Sequence, residues 1–128
     1  AAKSGAPLAL VMIDLDRFKL VNDNFGHHAG DRVLARCVTE VRRGLRASDV
    51  VARIGGDEFA IILPGVDEES THGLVGRLQA LTSSAWSSGS AVSSRGDTMD
   101  SLLARADARL LDAKRLTHST ERDRSDRA

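Results

Sequence analysis

The stretch Leu8-Ala9-Leu10-Val11-Met12-Ile13 constrains this chain more than any other, because it is apolar at every position and rich in branched side chains. A strand with one face in water alternates. A short run that is apolar on both faces suits a strand buried in the middle of a sheet better than a helix. It ends in acid, at Asp14 and Asp16. From Pro7 to Ile13 it falls far short of the ~20 residues that span a bilayer, so no membrane contact is expected.

The remaining segments follow from spacing. Asp16 to Phe25 predicts a short helix that Gly26 stops. From Asp31 to Arg46 the apolar residues Val33, Leu34, Cys37, Val38, Val41 and Leu45 form one helical stripe. Val50 to Ile54 and Phe59 to Leu63 read as two strands joined through Gly55-Gly56-Asp57-Glu58. A glycine pair there signals a hairpin, since tight hairpins use residues that accept positive φ. Asp67 to Leu81 reads as a helix weakened by Gly73 and Gly76, and Ala85 to Val92 as a poor, serine-filled strand. Asp97 or Thr98 caps a last helix with Met99, Leu102, Leu103, Ala106, Leu110 and Ala113 inward. The order predicts an α+β fold of the split βαβ kind: a mainly antiparallel sheet with two helices packed on one face. Residues 1–118 form the domain, and the polar tail 119–128 is expected to be disordered.

With 128 residues the chain has room for one core. Its 18 basic and 18 acidic residues cancel, which excludes a globally basic nucleic-acid binder. A single Cys excludes an internal disulfide, so a reducing compartment, the cytoplasm, is expected. The chain lacks an initial Met, and Ala1 to Gly5 resemble no targeting peptide; it reads as a piece of a longer protein.

Asp14 ends the buried strand, while Asp57 and Glu58 sit in the hairpin. If the first strand is central and pairs beside that hairpin, these acids converge at one edge of the sheet. Carboxylates without His or Cys companions favour a hard cation, Mg²⁺ or Mn²⁺, over zinc. Mg²⁺ keeps water and phosphate oxygens as ligands, and adjoining glycines let backbone approach a bulky ligand. Ordinary turn work by the same residues stands as the alternative.

The string Gly55-Gly56-Asp57-Glu58-Phe59 resembles the signature of the GGDEF domain family, the diguanylate cyclases. Its surroundings agree. Ile13-Asp14-Leu15-Asp16-Arg17-Phe18-Lys19, Val21-Asn22-Asp23, Gly26-His27 and Gly30-Asp31 resemble the family's first motif block in order and spacing. Ala104 to Ala108 and Ala113-Lys114 resemble its last helix. The resemblance implies a palm-like βαββαβ (ferredoxin-like) domain similar to nucleotidyl cyclases. It also implies condensation of two GTP into cyclic di-GMP with release of pyrophosphate, by a homodimer in which each copy holds one GTP.

By the same resemblance, Asp14, Asp57 and the Leu15 carbonyl hold the metal, and Asp57 and Glu58 are catalytic. Lys19, Asn22, His27, Asp31, Gly55, Gly56 and Lys114 contact GTP, with Asn22 and Asp31 reading guanine. A carboxylate accepts from guanine N–H groups, and an amide both donates and accepts. Arg46 and Asp49 form an RxxD pattern with five residues between Asp49 and Gly55, like the family's product-inhibition site, with Arg77 as a second arginine.

Several features depart from the family. Its helix before the first strand, DxLTGLxNR-like, would lie upstream of Ala1, so part of the GTP-site wall is expected to be missing. The link from Leu81 to Val92 is short, and Ser88-Gly89-Ser90 replaces a SIG-like strand. Thr117-His118-Ser119 stands at the GRN segment, with His118 where an Arg is usual, and Leu111 stands for a frequent Tyr. Two functions follow: an active, product-inhibited cyclase under an upstream sensor or regulatory domain, or an impaired module that binds GTP or cyclic di-GMP as a regulator.

Overall fold

In the computed structural model, which describes residues 6–127 and the side chains of 6–116, β1 (Leu8–Leu15) is an inner strand of a four-stranded sheet. The elements that follow are α1 (Phe18–Phe25), α2 (His27–Arg43), β2 (Val50–Arg53), β3 (Glu58–Pro64), α3 (Glu68–Leu81), β4 (Trp86–Val92) and α4 (Met99–Arg127). The sheet order is β2-β3-β1-β4, and every pair is antiparallel.

Because side chains alternate along a strand, the doubly apolar β1 feeds two cores. Ala9, Val11, Ile13 and Leu15 point to one face, where Phe59, Ile61 and Leu63 of β3 meet Leu34, Cys37 and Val41 of α2 and Leu74 and Leu78 of α3. Leu10 and Met12 point to the other, against Ala60, Ala91 and the stripe Leu102, Ala106 and Leu110 of α4. Two helices on one face describes α2 and α3, but α4 covers the opposite face. Without it, the second apolar side of β1 would meet water.

Two boundaries differ from expectation. Gly26, at φ +88°, ends α1 and starts α2 at once, so α2 begins at His27 and carries Asp31 inside it instead of at its start. The helix ends at Arg43, before Gly44, which leaves Arg46 in the loop. At the other helix starts, Asp67 accepts from the Ser70 N–H (2.8 Å), and Thr98 Oγ1 accepts from the Ser101 N–H (3.1 Å).

The serine-rich segment forms β4 because α4 rests directly on it. A Cβ at Gly89 would lie 2.1 Å from Leu110 N and 2.2 Å from Ala106 O. Arg109 donates to the Ser90 carbonyl at 2.6 Å, and Arg105 to that of Val92 at 3.1 Å. Tertiary packing here overrides weak strand propensity. The expected tail at 119–128 and the residue His118 fall where side chains lie outside the described ones.

Candidate active site

The sheet register brings the acids together. Asp14 lies opposite Glu58 of β3 on one side and Ser87 of β4 on the other. The Leu15 N–H donates to the Asp57 carbonyl (3.2 Å), which fixes the bend between β2 and β3 against the end of β1. The Asp14 side chain is only 2% exposed, and its Oδ1 is buried without a partner. Its Oδ2 is paired with Lys114 Nζ, which α4 delivers from the far face of the sheet.

Burial pushes the Asp14 carboxyl up to about 6; Lys114 opposes the rise and the neighbouring Asp57 carboxylate adds to it. Burial acts to lower Lys114, yet its bond to Asp14, with the charges of Asp14, Asp57 and Glu58, holds it above its ordinary value. Among the described residues no group of three His, Cys, Asp or Glu side chains is gathered as a metal cage. A close pair of carboxylates with one buried, orphaned oxygen nevertheless fits Mg²⁺, which binds through one or two carboxylates and completes its shell with water and phosphate oxygens. The same oxygen would otherwise remain an uncompensated buried acceptor.

The bend is closed by the Ile54 and Gly55 N–H groups, which donate to the Glu58 carbonyl at 3.0 and 3.3 Å. Neither Gly55 nor Gly56 has a positive φ, which corrects the turn-based reason for the glycine pair. Nothing lies within 4 Å of where a Cβ would stand at either position. The backbone conformation does not require glycine here. What the glycines leave is open space beside the carboxylates.

The other expected contacts lie on α1 and α2. Asn22 Oδ1 is buried without a partner, and a Cβ at Gly30 would stand 1.9 Å from it. The bare Gly30 is what lets the two helices close around that amide. Asp31 stands at a groove of about 350 Å³ between α2 and β2, walled by Leu34, Ala35, Val38 and Val51, with Arg53 3.6 Å away. Lys19 and His27 are exposed, and neither is bonded to the carboxylates. Arg53 and the Ser87–Asp16 hydrogen bond (2.7 Å) were not recognisable as site features from the sequence. Arg53's place two residues before the glycines was the one available signal.

Arg46 and Asp49 do come together. The Arg46 N–H and Nη2 donate to Asp49 at 2.7 and 2.8 Å, and Nη2 also reaches the Pro64 carbonyl at 2.7 Å. Burial acts to raise Asp49, but the Arg46 bonds hold its carboxyl below the usual range. A groove of about 440 Å³ opens beside them, lined also by Arg42, Leu45 and Val50. Arg77, exposed on α3, does not line it. Cys37 is a core thiol, pushed up to about 11 by burial and then by the Glu40 charge. No helix among the described residues is long and apolar enough to cross a membrane.

An antiparallel four-stranded sheet with helices on both faces, and an acidic pair where its inner strand meets a hairpin, defines an α+β domain of the nucleotidyl-cyclase type. Residues 1–120 match the family model described as "Diguanylate cyclase, GGDEF domain", and the chain belongs to the GGDEF family. It is 45% identical over 78 residues to diguanylate cyclase DgcP of Pseudomonas aeruginosa, a match covering 61% of this chain and 12% of that protein. The GGDEF domain of DgcB from Caulobacter crescentus, in complex with c-di-GMP, superposes with a TM-score of 0.83 at 29% identity, over 90% of this chain and 76% of that one. The GGDEF domain of YfiN, or TpbB, from Pseudomonas aeruginosa gives 0.81 at 37% identity, over 87% and 78%.

Proposed function

We propose that this chain condenses two GTP molecules into cyclic di-GMP, as the cytoplasmic catalytic part of a longer protein under an upstream sensor or regulatory domain. The observation that carries the reading is the buried, unpartnered Oδ1 of Asp14 beside Asp57, next to a bend stripped of side chains. Asp14, Asp57 and the Leu15 carbonyl would hold Mg²⁺ or Mn²⁺. Such an ion, when bound, neutralises charge on the triphosphate and lowers the pKa of the attacking hydroxyl. Each 3′-hydroxyl oxygen bonds to the α-phosphorus of the other nucleotide, loses its proton and displaces pyrophosphate; two such steps give the cyclic product and two pyrophosphates.

The chain's own residues supply alignment. Gly55 and Gly56 admit the phosphates to the backbone, and Lys114, with Lys19, offers a point charge to triphosphate oxygens. Lys114 must exchange its Asp14 contact for phosphate as GTP enters. Asp57 takes the hydroxyl proton, with Glu58 assisting. Asp31 accepts from guanine N–H groups at its groove, His27 contacts the nucleoside, and the orphaned Asn22 amide oxygen is a further acceptor for guanine. One chain holds one GTP, so two copies must face each other. Arg46 and Asp49, with the groove beside them, take the product at a separate inhibitory site, to which Arg77 would have to swing.

The test is incubation of the chain with GTP and Mg²⁺ over a range of protein concentrations. Cyclic di-GMP should appear with a steeper than linear dependence on protein. Absence of product from folded protein at every concentration refutes the cyclase reading. A second reading, binding of GTP or cyclic di-GMP without turnover, draws on the Lys114 pairing that already occupies Asp14 Oδ2. Saturable binding with no product supports it.

A further inference from the structure

Arg53, the last residue of β2, turns its guanidinium onto the bend while half of its side chain stays in solvent. Its Nε donates to the Gly55 carbonyl (3.1 Å) and its Nη2 to the Gly56 carbonyl (3.0 Å). The same Nη2 stands 3.6 Å from Asp31 Oδ1 on α2. We infer that Arg53 is a positioning residue: its guanidinium fork sets the glycine bend, and through it the Asp57 carboxylate that follows.

The bend has little else to define it. Its glycines carry no side chain to pack, and glycine loses more freedom on ordering than any other residue. Backbone bonds reach it from Glu58 and, at Asp57, from Leu15. Between those anchors the Gly55 and Gly56 carbonyls are held by one rigid, charged donor group. The ion pair to Asp31 is a weaker element, since the two side chains are 54% and 63% exposed and such pairs contribute little. Its effect is directional, turning the fork toward α2 across the mouth of the groove. A lysine ammonium at this position is a single point and cannot span two successive carbonyls in a fixed plane.

The catalytic side of this inference rests on the cyclase reading; the structural side does not. The experiment uses the full chain with Arg53→Ala and Arg53→Lys. Backbone ¹⁵N relaxation at Gly55 and Gly56, without nucleotide, reports the bend on the ps–ns scale, and steady-state GTP turnover reports its consequence. Both substitutions should make the two glycine amides mobile while amides elsewhere in β2 and β3 keep their order. They should lower kcat by roughly 10²-fold, the effect of about 1 Å of misplacement, with any rise in KM for GTP, whose phosphates meet the same bend, smaller than that. Glycine amides as ordered in Arg53→Ala as in the parent overturn the inference, as does full activity in Arg53→Lys or a loss expressed in KM alone. If the parent chain makes no product, the cyclase reading fails, and the relaxation data still decide what Arg53 does.

Discussion

Replacing Gly89 by Ala should damage this domain more than any other single added methyl group in the sheet. The new Cβ would meet Leu110 N at 2.1 Å and Ala106 O at 2.2 Å, both backbone atoms of α4 that no rotamer change can move aside. Ordinary contact requires α4 to withdraw by about 1 Å, and a gap of that size forfeits a quarter to half of each dispersion well it crosses. The withdrawn face carries Leu102, Ala106 and Leu110, whose burial against Leu10, Met12 and Ala91 makes the second core. Two leucines at about 2–3 kcal/mol each, partly unpacked, with residual strain, give a loss of about 3 kcal/mol. Lys114 lies one helical turn beyond Leu110, so the shift also pulls it from Asp14. Urea unfolding of Gly89→Ala and parent measures the loss, which should lower the thermal midpoint by about 10 °C. The control is Gly76→Ala in the exposed face of α3, where a Cβ meets nothing within 4 Å. That change should stabilise by about 0.5–1 kcal/mol. A Gly89→Ala protein within about 0.5 kcal/mol of the parent would refute the packing account of β4.

Other expected outcomes are as direct. Asp57→Ala should abolish product formation by thin-layer or chromatographic assay while the fold, followed by circular dichroism, persists. Arg46→Ala should weaken cyclic di-GMP binding roughly 10–100-fold by calorimetry, the effect of losing a charged hydrogen-bonding group; unchanged affinity defeats the inhibitory-site assignment. The Asp97 carboxyl is held down at about 2, first by the Ser94 N–H, then by Ser101 and the remaining partners that include Arg105. A depressed carboxylate contributes stability that is full above its unfolded value of about 4 and is lost as pH falls toward about 2. The stability difference between parent and Asp97→Asn should therefore shrink over that interval in acid titrations. Cys37, fully buried with its thiol pushed up to about 11, should react with a thiol reagent only as fast as the domain opens.

Much of this architecture can be read from residue pattern. The doubly apolar Leu8–Ile13 run identified the inner strand, and two branched runs flanking a short polar bend identified its hairpin neighbour. If the two pair side by side, Asp14 and Asp57 converge at one edge, and the register of β1 on β3 meets that condition. The pattern could not say which face α4 would take, because its Leu102, Ala106 and Leu110 stripe fits either side of the sheet. The Ala85 to Val92 reading matches β4 (Trp86–Val92), but pattern alone marks it as a poor strand, because what supports its serines is α4 resting on Gly89. The bond from Lys114 to Asp14 joins residues 100 apart in sequence, and only the motif resemblance pointed to that lysine. Arg53 is hidden in the pattern for a different reason: its acceptors are main-chain carbonyls, which leave no trace in residue identity. A glycine pair suits turn chemistry and open space alike, and the observed φ angles leave the second explanation.

Paramagnetic Mn²⁺, titrated into ¹⁵N-labelled protein with a non-hydrolysable GTP analogue, addresses the shared-cation assignment most directly, since it reads the ion's location without any turnover. The amide signals of Asp14, Leu15, Asp57 and Glu58 should broaden first, and Asp14→Asn should remove that selectivity. Sharp signals at those four residues, while others vanish, would contradict the account.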